Sequence, residues 1–231
     1  MAEGTRYSEI LDRLKALSDP KAVEGMARFG ITPENTYGVS IPNLRKIAKE
    51  LGTDHHLAQE LWSSGIHEAK ILASMIDDPE EVTEVQMERW IKDFDSWDIC
   101  DQCCSNLFDK TDLAYQKAVE WSAQEEEFVK RAGFVLMAAL AVHDKKAEDR
   151  AFLQFLPLIK RESTDARNFV KKAVNWALRQ IGKRTIVLNT KAIETAKEIW
   201  EFETRSAQWI AADALRELTS EKIQRRLLRQ K

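Results

Sequence analysis

Turn-forming residues are scarce in this chain, with 8 Gly and 5 Pro among 231 residues. A sandwich or barrel of short strands needs a turn roughly every 8–12 residues, so the composition argues against an all-β fold. Cysteine is equally scarce: Cys100, Cys103 and Cys104 are the only three, and an odd number packed so closely is no disulfide framework. Reduced thiols serving as small core residues are expected. A zinc site needs a fourth ligand at defined spacing, which His55, His56, His67 and His143 do not supply, so no metal is expected. No apolar run is long enough to span a membrane, and Met1 to Arg6 has no apolar signal core. The expectation is a soluble, cytoplasmic protein with no membrane partner. Glycine-rich phosphate loops, Gly-x-Ser-x-Gly elbows and His-Glu-x-x-His helices are missing, so conventional hydrolase and nucleotidyl chemistry is unsupported and no cofactor is expected. A net charge of −3 gives no global basic signature, and any affinity for nucleic acid must be local.

What is present reads almost everywhere at helical period. Ile10, Leu11, Leu14 and Leu17 form one apolar stripe. Ser40-Ile41-Pro42 opens another helix, with proline in its first turn and Leu44, Ile47, Ala48 and Leu51 on its buried face. Asp77-Asp78-Pro79-Glu80-Glu81 reads as a turn running into an acidic helix start. Thr185-Ile186-Val187-Leu188 is the best strand candidate, and it is short.

The helices also resemble one another at long range. Glu68 to Ala73, Lys130 to Val135, and Lys171 to Trp176 each begin with charge and continue with a small, apolar face; Trp209 to Leu215 is a looser copy. The last three recur at about 35–45 residues, the period of two-helix solenoid repeats of the HEAT type. The expected fold is all-α: a curved superhelical solenoid of HEAT-like antiparallel helix pairs, with one helix of each pair lining a concave surface. No composition break divides residues 1–231, so a single repeat domain is expected.

Two constellations stand out. On the helix from about Asn168 to Gly182, Lys172, Trp176, Arg179 and Lys183 share one stripe, and residues 160–191 hold nine Lys or Arg against two acidic residues. Such a stripe suits nucleic acid, with cations for phosphates and an indole for a sugar or base. It equally suits a solvated charged face with a tryptophan at its edge. The second constellation is Trp97 and Asp101, four residues apart and hence on one helix face. Alone, this pair reads as a core tryptophan and a capping or ion-paired aspartate. Arg131, at the edge of a later apolar face, is a candidate partner for Asp101 or a phosphate ligand.

Taken in order, Tyr37-Gly38-Val39-Ser40-Ile41-Pro42-Asn43-Leu44-Arg45-Lys46, Trp97-Asp98-Ile99-Cys100-Asp101, Lys130-Arg131-Ala132 and Ala173-Val174-Asn175-Trp176-Ala177-Leu178-Arg179 resemble the bacterial DNA alkylation repair family of the AlkD type. The resemblance covers most of the chain beyond the first thirty residues. It implies a monofunctional DNA glycosylase that excises N3- and N7-alkylated purines from double-stranded DNA without a cofactor. Carried over by position, it makes Asp101 the catalytic carboxylate, Trp97 and Trp176 aromatic walls, and Arg131 the cationic partner at the lesion-bearing backbone. A basic DNA-binding surface would draw on Lys70, Lys130, Lys172, Arg179 and Lys183, and such an array can track DNA as a monomer. Two other readings stay open. One is a DNA-binding or damage-sensing module without excision; the other is a repeat scaffold for a protein partner, in which the acidic segment 77–98 would matter as much as the basic one.

Overall fold

The computed structural model describes residues 3–229. The chain divides into two compact units, Met1–Thr111 and Asp112–Lys231. Regular structure is helical throughout, with no strand among the described residues. The first unit contains α1 (Glu3–Ala16), α2 (Pro20–Ala27), α3 (Ile41–Leu51), α4 (His55–Ser63), α5 (His67–Ile76), α6 (Glu84–Lys92) and α7 (Trp97–Asn106), closed by a 3-10 turn at Phe108–Lys110. The second contains α8 (Ala114–Ser122), α9 (Glu127–His143), α10 (Asp149–Leu153), α11 (Leu156–Glu162), α12 (Asn168–Gly182), α13 (Ile186–Trp200), α14 (Arg205–Leu218) and α15 (Glu221–Leu228).

Local chemistry sets several helix starts. The Asp19 carboxylate accepts from the Lys21 and Ala22 amides ahead of α2, with Pro20 in the first turn. The acidic run Asp77 to Glu81 is entirely turn; its helix begins only at Glu84, because Thr83 is the residue that caps the Gln86 amide. Thr185 to Leu188 is no strand. The Thr185 hydroxyl caps α13 by accepting from the Leu188 amide, and Leu188, Ala192, Ala196 and Ile199 form the buried stripe of that helix. Helical packing overrides the β-propensity of three β-branched residues. In α1, Ile10 and Leu14 are buried as expected, whereas Leu17 lies beyond the helix end and is exposed.

Two cores result. In the first unit Trp62 stacks flat on Trp90, ring centroids 3.9 Å apart, and Phe94 and Phe108 close around them at 6.1 and 6.3 Å. In the second, every residue of α9 from Lys130 to Ala141 is buried, and this helix packs between α8 and α12. Gly133 permits the approach of α8: a Cβ there would stand 2.4 Å from the Ser122 amide nitrogen.

The four helices that resemble one another in sequence are α5, α9, α12 and α14, and polar ties between neighbouring repeats recur at the repeat spacing. His67 reaches Asp98, 31 residues on. Lys130 reaches Glu162, 32 residues on. Asn175 and Arg179 reach Asp213 and Glu217, each 38 residues on. The turn before α3 is tied in the same manner. The amides of Tyr37, Gly38 and Val39 donate to the buried Glu68 carboxylate at 2.9, 2.6 and 3.2 Å. Only glycine fits the middle position, where φ is +79° and a Cβ would lie 2.4 Å from the Asp19 carbonyl oxygen.

Candidate functional site

Helix α7 buries Ile99, Cys100, Cys103 and Cys104 and packs on α5. Burial pushes the Cys103 and Cys104 thiols well above the ordinary cysteine range, so these groups are inert core residues. Trp97 and Asp101 occupy the remaining face, and both are only partly buried. That placement separates Trp97 from Trp62, Trp90 and Trp121, which are core. Asp101 is the fifth residue of α7, whose N-cap is Ser96, so Asp101 does not cap the helix. The indole N–H of Trp97 donates to the Phe29 carbonyl at 3.1 Å, which fixes the ring.

Asp98, between the two, has a different task. Its carboxylate meets the imidazole of buried His67 at 2.8 Å. Burial favours neutral His67, but the hydrogen bond and charge of Asp98, with Glu68 and Asp95 behind it, outweigh that and raise its pKa above the ordinary value. The resulting ion pair locks the start of α7 to the start of α5, and so sets where Trp97 and Asp101 stand.

In the second unit Trp176 is partly exposed on α12, with Lys172 exposed one turn before it. The other two members of the stripe are held by α14. Arg179 meets Glu217 at 2.7 Å and Asp213 at 3.4 Å, and Lys183 meets Glu217 at 2.8 Å. Burial alone would raise the Glu217 pKa, but the two cations bring it below the usual carboxylate range. The stripe is therefore less basic than its sequence suggests. Arg131 is 5% exposed rather than at an edge, and its guanidinium donates to the Phe169 carbonyl, tying α9 to the start of α12.

Two expected surface lysines lie inside the protein. Lys70 is 9% exposed; its ammonium donates to the Asp93 carbonyl at 3.1 Å and sits 5.8 Å from the Trp62 ring centroid. Lys130 is 6% exposed and pairs with Glu162 at 2.7 Å and Asp165 at 3.9 Å. Charged first turns in these helices serve the contacts between repeats, which a helical-wheel reading cannot separate from a basic surface. The sequence alone does not pair Lys130, Arg179 and Lys183 with the carboxylates that take them. Asp213 and Glu217 were discoverable, since they repeat the spacing of Asn175 and Arg179 38 residues later. His67 and Glu68 left no comparable signal. Among the described residues, no group of three or more His, Cys, Asp or Glu could hold a metal ion, and no helix is long and apolar enough to cross a membrane.

Comparison with known proteins bears on the fold and the family. The uncharacterized proteins Lin0241 of Listeria innocua and Lmo0209 of Listeria monocytogenes are 26% and 23% identical to the chain over 197 residues, covering 84% of it and 86% of each relative. A solved structure matches with a TM-score of 0.78 at 22% identity, over 91% of this chain and 94% of that one. It represents a new family of proteins related to the HEAT-like repeat DNA glycosylases, with affinity for branched DNA structures. At that identity the likeness establishes the fold, a helical solenoid of HEAT-like repeats. The family model for the DNA alkylation repair enzyme matches residues 10–218, across both compact units, and the chain belongs to the DNA alkylation repair enzyme family.

Proposed function

We propose that this protein is a DNA glycosylase that hydrolyses the N-glycosidic bond of cationic N3- and N7-alkylated purines in duplex DNA, acting as a monomer. The observation that carries this reading is the outward placement of Trp97 and Asp101 on α7, a helix whose other face is core. Trp90 is a core tryptophan and Asp19 a helix cap, whereas Trp97 is only partly buried and Asp101 stands one turn inside α7.

The chemistry suits these groups. An alkylpurine that already carries positive charge leaves without being protonated, so the remaining task is to stabilise an oxocarbenium-like sugar and position a water. A preorganised carboxylate does both, and fixed charges of this kind contribute on the order of 3–4 kcal/mol. Indole faces attract cations by about 0.5–2 kcal/mol each, which favours the lesion over a neutral base. In this reading Asp101 is the catalytic carboxylate with Trp97 as its aromatic wall, and Trp176 offers a further indole on α12. Arg131 is a positioning residue that holds the start of α12. Lys172 contacts phosphate directly, Arg179 and Lys183 do so while shared with Glu217, and Lys70 and Lys130 brace the repeats.

The test is incubation of excess protein with duplex carrying 7-methylguanine or 3-methyladenine, followed by measurement of free base and alkali-labile abasic sites. Release of base supports the assignment. A second reading, binding without excision, draws on the branched-DNA affinity of the structural neighbour's family. Tight binding to a four-way junction, with neither free base nor abasic sites at any protein excess, would replace the first reading with the second.

A further inference from the structure

A cavity of about 410 Å³ opens in the second unit, where the C-terminal ends of α9 and α12 meet the start of α13. Its volume is that of a small-molecule site, at the lower end of the usual range of about 300–1,000 Å³. Four cations line it: Lys145, Lys183, Arg184 and Arg226. Lys183 is spoken for by Glu217. The two guanidiniums are anchored on carbonyl oxygens, although Asp144 lies near enough for its charge to act on Arg184. Arg184 donates to Ala141 at 3.2 Å and Ala147 at 2.7 Å and lies 4.3 Å from the Phe152 ring centroid, while Arg226 donates to the Lys183 carbonyl. A carbonyl fixes the geometry of a guanidinium without cancelling its charge.

The two acidic residues in the lining also have partners, though Asp149 keeps its charge at the wall. Asp149 accepts from the Thr185 hydroxyl at 2.7 Å, and Glu148 pairs with Arg150 at 3.0 Å. The arginines also answer the negative helix ends at the wall: Ala141 lies in the last turn of α9, and Lys183 follows α12. The 15-residue α13 begins at the same wall with Thr185 as its N-cap, which adds the positive end of a helix dipole.

We propose that this cavity binds a phosphoryl group, with Arg184 and Arg226 as fork-shaped ligands and Lys145 as a mobile third cation. Planar guanidiniums held in place are the chemistry that selects phosphate over a diffuse anion. The group could be supplied by a nucleic-acid backbone or by a free nucleoside phosphate, and neither source depends on whether Asp101 cleaves a bond.

The test titrates inorganic pyrophosphate into the full chain by calorimetry, and measures duplex DNA affinity with and without saturating pyrophosphate. The variants are K145Q and K145Q/R226Q, both altering exposed side chains, with thermal melting to confirm folding. Saturable binding of one pyrophosphate, weakened at least tenfold in the double variant, is expected. If pyrophosphate also lowers DNA affinity, the natural ligand is a backbone phosphate; if DNA affinity is unmoved, it is a free phosphate compound. No saturable pyrophosphate binding by the wild type, or equal binding by wild type and a folded double variant, overturns the proposal. Base release from alkylated duplex is read separately, so loss of the glycosylase reading and loss of this one are distinguishable.

Discussion

Replacing Glu68 isolates the contact that seats the turn before α3 on the repeat behind it. The carboxylate is 1% exposed, with one oxygen taking the Gly38 and Val39 amides and the other taking Tyr37. Glu68→Ala removes three acceptor contacts at once and leaves the donors of buried Gly38 and Val39 without a partner. Each stranded buried donor costs about 1–3 kcal/mol, and the half-buried Tyr37 amide recovers part of its loss from water, so the sum is about 3–6 kcal/mol. Glu68→Gln keeps one oxygen for Gly38 and Val39 but turns an NH2 group toward Tyr37, for a loss of about 1–2 kcal/mol. Urea unfolding, with hydrogen exchange at the Gly38 and Val39 amides, reads both variants. The expected order is wild type, Gln, Ala, with exchange at those amides accelerated selectively. An alanine variant within about 1 kcal/mol of wild type would refute the view that this carboxylate organises the turn.

Other consequences can be checked independently. Gly133→Ala places a Cβ 2.4 Å from the Ser122 nitrogen and is expected to cost about 3 kcal/mol or more in thermal or urea unfolding, whereas Gly25→Ala, with nothing within 4 Å, is expected to be neutral or stabilising by up to about 1 kcal/mol. Since the folded-state pKa of His67 is raised above 6.5, its contribution to stability is complete below that value and is lost as pH rises through the higher folded value. Unfolding midpoints measured across that window should fall for wild type, and Asp98→Asn should remove the slope. Glu217→Gln releases Arg179 and Lys183 from their shared carboxylate; if α12 faces DNA, affinity should rise severalfold and the slope of log K against log salt should steepen by about 1–2. The same variant removes the acid sensitivity of this contact, whose stabilisation is present above the usual glutamate pKa and is lost as pH falls through the depressed folded value.

The helical class and the repeat were legible because apolar spacing reports directly which face of each helix is buried. Leu44 and Ile47 of α3, and Val170, Ala173 and Val174 of α12, lie where their period put them. The exposed face of α7 was legible in part, since the separation of Trp97 from Asp101 fixes a shared side of a helix in any fold. The roles of the cations were not. Lys70, Lys130 and Arg179 look alike in sequence, yet their fates are decided by Asp93, Glu162 and Glu217, residues 23 to 38 positions away. Thr185 to Leu188 reads as a strand for a related reason: Leu188 belongs to a helical stripe with Ala192, Ala196 and Ile199, which its β-branched neighbours mask.

The central claim rests on the carboxylate of Asp101. Single-turnover release of 7-methylguanine from a methylated duplex, comparing wild type with Asp101→Asn at equal fractions of bound DNA, tests it most directly. Asparagine preserves the shape and removes the charge, so the expected result is a folded variant that still binds DNA, with release slowed on the order of 10²–10³-fold. Equal rates of release in the two proteins would contradict the account.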